Sequence, residues 1–481
     1  MGAASLNAES SAPDGFRGPY ADRPPTDALA VEVPTLHEFG RVELRRMVTT
    51  YAQLLYGVAG ALSRHLLAVV RRRHHDGGWI DALCRGIVDG FERLGPSWLK
   101  AGQIIASSPG LFPTPLADAC QRTLDGVRPF DAATARRIIR EDLGHDPDVL
   151  FASFDDVPLS AASVGQVHAC TLVDGRDAVI KVQRPGIREL FTLDFRIMYR
   201  FARMMDRIER LRFVNATAII QEAHEVAVSE MNPALEATRQ HDFRERISAF
   251  GDNEFITAPE VYWEYCGPRL ICMERMWGVP MGEFDELARR GVDGELVLRR
   301  GAKAWIEAVC VHGPFHGDMH AGNIWVLDDG RGSFLDFGIM GELPEMFRDV
   351  VKDLLYTTMI DLDFSRVARA YRRVGVFPEG MGTDEELGER MAMIVGPLLS
   401  SGMSGLNLAD MIKLSLSLMD NYQAVAPPEM MLIVKQLAYI ERYAKSLAPN
   451  YVLISDLFLI RNIFPDEVAA KVAELGIELP V

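Results

Sequence analysis

The stretch from Phe315 to Gly341, FHGDMHAGNIWVLDDGRGSFLDFGIMG, constrains this chain more than any other. Ile324-Trp325-Val326-Leu327 is apolar and β-prone, Asp328-Asp329-Gly330-Arg331-Gly332 has turn chemistry, and Ser333-Phe334-Leu335 is a second short β-prone run. The pattern predicts a tight hairpin. A hairpin fixes its two ends side by side, so Asn323 before it and Asp336 after it come together as two oxygen ligands for one hard cation. One carboxylate and one amide oxygen, with room for phosphate oxygens and water, suit Mg²⁺ rather than zinc. Asp318 lies five residues before Asn323. A rival pattern runs through the same stretch, because His312, His316 and His320 recur every four residues and would share one face of an unbroken helix, where they could bind zinc. Gly313, Pro314 and Gly317 break that helix. His316 then reads as a structural residue that braces the loop carrying Asp318.

With 481 residues, 48% hydrophobic and 25% charged, the chain can bury a large core in one big or two medium domains. A net charge of −16 argues against a general nucleic-acid partner, whose phosphates it would repel. The six cysteines form no C-x-x-C pair and read as buried thiols of a reducing compartment. Residues 1–36 are rich in Ala, Pro, Ser and Asp and lack an apolar core after a basic start, so a floppy tail is expected rather than a signal peptide. The expected location is the cytoplasm.

From Arg41 to Arg73, Met47, Val48, Tyr51, Leu54, Leu55, Val58, Leu62, Leu66, Val69 and Val70 follow helical spacing between basic ends. Two readings stay open: an amphipathic helix packed on its domain, or a helix lying in an anionic membrane surface. Arg64 and His65 interrupt the apolar run and weigh against a true crossing. Next, Gly95-Pro96 starts a helix that carries Lys100, Gly102 and Gln103 as K-x-G-Q. Ser160 to Gln166, with Ala161, Ala162, Ser163, Val164 and Gly165, is a small-residue loop in which backbone N–H groups can approach phosphate. Two predicted strands follow, His168–Val173 and Asp177–Val182, and Lys181 stands on the second. Glu222, Glu230 and Glu236 lie in the charged helical region beyond and are the carboxylates available to orient Lys181. A strand pair is expected around Val261–Trp263 and Arg269–Met273, then a connector with Glu274 and Met276 ending at Gly278. After Gly341 the chain reads as helical, and its Met- and Leu-rich runs, Met391–Leu418 and Met430–Tyr443, read as core.

Asp318, Asn323 and Asp336-Phe337-Gly338 have the spacing of a kinase catalytic loop followed by D-F-G, with Lys181 at the phosphate-pairing position. K-x-G-Q, the alanine-rich loop ending S-V-G-Q-V-H, V-I-K-V-Q-R-P-G, H-x-D-x-H-x-G-N and D-F-G together resemble the UbiB/AarF/ADCK family of atypical kinase-like proteins, from about Phe91 to Gly341. The resemblance implies an α+β, protein-kinase-like bilobal fold: a tail over 1–36, a helical K-x-G-Q extension over 37–130, a small N-lobe sheet within 131–277 and a mostly helical C-lobe over 278–481. It implies that Lys100 and Gln103 reach the nucleotide, that Lys181 pairs with Glu236 and with phosphates, and that Asn323 and Asp336 hold Mg²⁺. Asp318 then takes the catalytic base position, and Ala161 to Gly165, Glu274 and Met276 line the ATP or ADP. Implied partners are an anionic membrane surface, an isoprenoid or other lipid and biosynthetic proteins, with attachment at the inner face of the membrane. The chain departs from the family pattern at Glu230-Met231-Asn232 for E-x-D, at Ser160 in the alanine triplet, at Arg239 for asparagine, at Ser108-Pro109-Gly110 for R-P-D and at Ala321 for proline. The expected activity is Mg²⁺-dependent phosphoryl transfer to water or another acceptor. The alternatives are a nucleotide-gated lipid or protein scaffold and, from His316-Gly317-Asp318, a small-molecule phosphotransferase of the aminoglycoside or choline kinase kind.

Overall fold

A computed structural model describes residues 15–71, 78–106, 113–124, 127–209, 215–378, 380–400, 412–413, 416–417 and 427–480. Arg72, Arg73, Ser108-Pro109-Gly110 and much of the Met391–Leu418 run lie outside them. The chain divides into two compact units, Met1–Glu236 with Val261–Arg275 and Ala237–Glu260 with Met276–Val481. The helical extension and the sheet that follows it in sequence share the first unit.

In the first unit the apolar spacing after Gly40 produces α1 (Arg41–Val70), which packs along α2 (Trp79–Leu94). A Cβ on Gly57 would come within 2.4 Å of the Gly86 carbonyl, and one on Gly86 within 2.6 Å of the Val58 Cα. Only glycine lets the two backbones meet. Arg46 fixes this pair to α4 (Ile187–Met205): its Nε and Nη2 donate to the buried carboxylate of Asp194 at 2.7 and 2.9 Å, and Nη2 also reaches the Leu94 carbonyl. Between them α3 (Pro96–Ala106) starts with proline, whose missing N–H costs nothing in a first turn. Val88, Phe91, Leu94, Trp98, Phe191, Phe195 and Val228 form the shared core with α5 (Ala216–Glu230).

Among the described residues nothing covers the other side of α1. Val48, Leu55, Leu66 and Val70 are 60, 67, 64 and 71% exposed, so the helix both packs on its domain and presents an apolar face. By length and composition α1 could cross a membrane. The expected floppy tail is corrected for its later part. Tyr20 and Leu36 are buried, Arg188 and Arg196 donate to the Glu32 and Thr35 carbonyls at 3.0 Å, and Asn232 donates to the Ala28 carbonyl at 2.9 Å. A segment poor in apolar residues is held by its backbone carbonyls, and the donors come from far along the chain.

The first unit's sheet is antiparallel. Its order is β1 (Phe151–Phe154), β3 (Gly165–Leu172), β4 (Asp177–Gln183), β6 (Leu270–Glu274), with β2 (Ser160–Ala161) on β3. Of the expected Val261–Trp263 strand only a bridge from Val261 to Met273 forms, because the chain then turns through Trp263–Tyr265 to bury Tyr265 and Cys266.

Below α4, the imidazole of His224 is buried, 5.2 Å from the Phe195 ring, and its Nε2 makes no hydrogen bond among the described residues. Burial, with Arg196 adding repulsion, lowers it from 6.5 to about 4. In the unfolded chain it regains its ordinary value and binds the extra proton, so stability is lost as pH falls from 6.5 toward 4. His224→Phe is expected to flatten that acid-side loss by about 1–3 kcal/mol in urea unfolding followed against pH. An unchanged slope would assign the loss to other groups.

In the second unit, β5 (Ile256–Thr257), β10 (Gly332–Phe334), β9 (Ile324–Leu327) and β7 (Gly278–Pro280) form a sheet in that order. β8 (Phe315–His316) pairs with β11 (Met340–Gly341). Phe243 of α6 (Pro233–Ala249) packs its ring 5.3 and 5.2 Å from those of Phe334 and Phe337. Trp305, buried near the end of α7 (Gly294–Glu307), donates its Nε1 to the His316 carbonyl at 2.9 Å. A long late helix, α8 (Glu429–Leu447), completes this core.

Candidate functional site

The hairpin of the second unit has the register its sequence predicts: Ile324, Trp325 and Val326 face Phe334, Ser333 and Gly332. The Leu335 N–H donates to the Asn323 carbonyl at 2.8 Å, one rung beyond the strands, so Asn323 and Asp336 flank the open end. Asn323 is buried, and its Nδ2 donates to the Asp318 carbonyl at 3.0 Å. That bond commits the amide nitrogen and leaves the amide oxygen as the acceptor end. Asp336 adopts a φ of 58°, a left-handed conformation that costs a non-glycine residue about 1 kcal/mol. Its Oδ1 offsets part of this by accepting the Gly338 N–H at 3.2 Å, while Arg239 holds the Gly338 carbonyl at 2.9 Å.

His316 is fully buried under this loop. Its Nδ1 accepts the Asp318 N–H at 3.2 Å, which places the proton on Nε2, between the Leu335 and Asp336 carbonyls at 3.0 and 2.9 Å. Burial keeps its pKa below the ordinary range. The imidazole is therefore a brace and not a metal ligand. Among the described residues no three His, Cys, Asp or Glu side chains gather as a metal cluster, and the zinc pattern of His312, His316 and His320 is not realised. One carboxylate and one oriented amide oxygen fit a hard cation that takes its remaining ligands from phosphate and water.

In the first unit Lys181 sits mid-strand on β4, opposite Val167 and Ile271. Its Nζ is 2.6 Å from Glu236 Oε1, and the two side chains are 18 and 4% exposed. Ala162, Ser163 and Val164 turn between β2 and β3. The Ala162 N–H donates to the Gly165 carbonyl at 2.8 Å, and Arg184 takes the Val164 and Ala162 carbonyls through its backbone N–H and its Nε. A Cβ on Gly165 would lie 2.6 Å from the Val182 carbonyl oxygen, so this position admits glycine alone. Ala161 closes β2, Glu274 closes β6 opposite Ala178, and Met276 follows on the chain.

A family model described as the ABC1 atypical kinase-like domain matches residues 122–371. The chain belongs to the ABC1 atypical kinase-like family. An uncharacterized Mycobacterium tuberculosis protein, Rv0647c, is 31% identical over 395 residues, 82% of this chain and 81% of that one. A probable protein kinase UbiB of Aliivibrio fischeri is 30% identical over 423 residues, covering 85 and 77% of the two chains. An uncharacterized aarF domain-containing, chloroplastic protein kinase of Arabidopsis thaliana is 28% identical over 394 residues, 76 and 72%. Among solved structures, a Mycobacterium tuberculosis Rv3197–erythromycin complex superposes with a TM-score of 0.47 at 22% identity, covering 76% of this chain and 91% of that one. The α+β kinase-like fold is the one the family resemblance implied.

In this ABC1 member the K-x-G-Q lysine is engaged within its own unit: Lys100 Nζ lies 2.7 Å from both carboxylate oxygens of Glu230. Gln103 donates to the Thr123 carbonyl at 3.1 Å. Glu230 thus serves the K-x-G-Q helix, and Glu236, six residues later, serves Lys181. Asn232, where the family pattern has aspartate, caps α6 by accepting the Leu235 N–H at 3.1 Å.

Sequence reasoning missed one set of residues on the loop that carries Asp318. Lys435, Gln436 and Tyr443 of α8 all reach residues 317–319. The periodicity of their run predicts core, which Gln436 and Tyr443 are by burial. The signal available was a Lys-Gln pair within an otherwise apolar helical stripe.

Proposed function

We propose that this chain is an atypical kinase-like ATPase that binds a Mg²⁺–nucleotide and works at a membrane surface on isoprenoid-quinone or other lipid biosynthesis or handling. The observation that carries the reading is the Asn323 and Asp336 pair at the open end of one hairpin, with Asn323 on the loop that bears Asp318. The Lys181–Glu236 pair supports it. In this reading Ala161 to Gly165 cover the phosphates, and backbone groups near Glu274 and Met276 meet the adenine. Lys181, kept in place by Glu236, offsets charge on the phosphates. Asn323 and Asp336 would hold Mg²⁺, which when bound would supply positive charge to offset the charge that develops on the phosphates. Asp318 orients the attacking O–H, of water or of an acceptor hydroxyl. The attacking oxygen bonds to the terminal phosphorus while the bond to the bridging oxygen breaks, and that electron pair leaves with the nucleoside diphosphate. The attacking oxygen's proton passes to the Asp318 carboxylate. Positioning and charge supply most of the catalysis.

The uncovered face of α1 supports the membrane part of the reading. Exposed Arg41, Arg45 and Arg71 sit near its two ends, where anionic headgroups would meet them. The test is nucleotide hydrolysis by purified protein with Mg²⁺, with and without anionic liposomes. Turnover that needs Mg²⁺ and rises with liposomes is expected. Tight nucleotide binding with no turnover in either case would favour the nucleotide-gated scaffold. For the face itself, Leu55→Glu with Leu66→Glu is expected to reduce liposome co-sedimentation at least about tenfold while hydrolysis without liposomes persists. Undiminished co-sedimentation would remove α1 from the membrane.

A further inference from the structure

The helix α8 reaches the Asp318 loop at several points. Gln436, fully buried, donates from Nε2 to the Gly317 carbonyl and accepts the Met319 N–H at Oε1, both at 2.7 Å. It therefore grips the backbone on each side of Asp318. Tyr443 adds a bond from its hydroxyl to the Met319 carbonyl, also at 2.7 Å. Beside Gln436, Lys435 brings its Nζ to 2.9 Å from Asp318 Oδ1, while His320 Nε2 stands 3.7 Å from Oδ2.

An isolated surface ion pair is worth little, since water screens it and two flexible side chains must be ordered. This pair differs in its setting. Lys435 and Asp318 are 34 and 24% exposed, and three hydrogen bonds from the same helix already fix the backbone on both sides. Little ordering remains to oppose the contact. A carboxylate rotates about its last torsion, and a cation on one oxygen sets the plane in which the group can meet an attacking O–H.

We propose that Lys435 is a positioning residue for phosphoryl transfer, fixing the orientation of the Asp318 carboxylate and adding positive charge beside the attacking oxygen. The inference rests on the phosphoryl-transfer reading above. It assigns the two neighbours on α8 separable tasks. Gln436 holds the loop's backbone, and Lys435 aims its carboxylate. Losing Lys435 should therefore act on the transfer step and leave folding and nucleotide binding alone.

Wild type, Lys435→Met, Lys435→Arg and Gln436→Leu are compared for Mg²⁺-dependent hydrolysis, ATP affinity and thermal midpoint. Lys435→Met is expected to lower kcat about 10- to 100-fold with KM, affinity and midpoint near wild type, and Lys435→Arg to recover most of the loss. Gln436→Leu, which strips two buried backbone groups of their partner, is expected to lower midpoint and kcat together. Wild-type turnover with Lys435→Met within twofold of it would overturn the role of Lys435 alone. So would a Lys435→Arg variant no better than Lys435→Met, or a kcat loss that only follows a lowered midpoint. No wild-type turnover at all would overturn the phosphoryl-transfer reading and this inference with it.

Discussion

Asp336→Asn is expected to abolish Mg²⁺-dependent nucleotide hydrolysis, lowering turnover at least about 10²- to 10³-fold while the protein stays folded. The substitution is nearly isosteric. Asparagine tolerates the left-handed conformation at φ 58° as well as aspartate does, and its amide oxygen can still accept the Gly338 N–H. The His316 bond to the residue 336 carbonyl involves only backbone at that position. What disappears is the negative charge that makes this end of the hairpin attractive to a divalent cation. Asn323 is already neutral, so the variant would offer two amide oxygens and no carboxylate. Hydrolysis measured across a Mg²⁺ titration, beside a thermal melt, separates the two consequences. Wild-type turnover in a folded variant would sink the assignment of Asp336 as a metal ligand.

Lys181→Met is expected to abolish turnover and also to destabilise the first unit, by about 3 kcal/mol. The reason lies with Glu236. Its side chain is 4% exposed and faces the Lys181 ammonium at 2.6 Å, so the substitution removes the charge opposite a buried carboxylate. Breaking such a pair from one side costs more than the pair contributes, because the remaining charge loses its compensation. Adding Glu236→Gln to Lys181→Met should recover most of the stability and none of the turnover. Urea unfolding of the four members of this double-mutant cycle reads the first effect and hydrolysis the second. A double variant as unstable as Lys181→Met would trace the loss to packing around β4 instead of to the buried charge.

The hairpin between Asn323 and Asp336, the helix start at Pro96 and the strand under Lys181 were legible in the sequence. Each is decided by short-range chemistry: apolar alternation, turn residues, a proline that fits a first helical turn. The strand expected after Pro259 forms only in part, for the complementary reason. Val261-Tyr262-Trp263 has strand-forming residues, yet burial of Tyr265 and Cys266 bends the chain into a helical turn after a single bridge. Tertiary packing overrode propensity there.

Which distant side chains meet is settled by packing of the whole fold. Lys100 finds Glu230 130 residues away, and Lys435 finds Asp318 117 residues away. The carbonyls of residues 28, 32 and 35 are taken by donors beyond residue 187, which orders a segment whose composition reads as disordered. Gly57 and Gly86 let two helices touch without any motif that marks the pair in advance. The local frames come from the sequence alone: a hairpin that brings Asn323 beside Asp336, a strand that carries a lysine, a helix that carries K-x-G-Q. Local frames follow from backbone preferences that act over a few residues. The choice among many lysines and carboxylates is made by the packed fold, because an ion pair has no sequence signature until the core places its two ends within hydrogen-bonding reach.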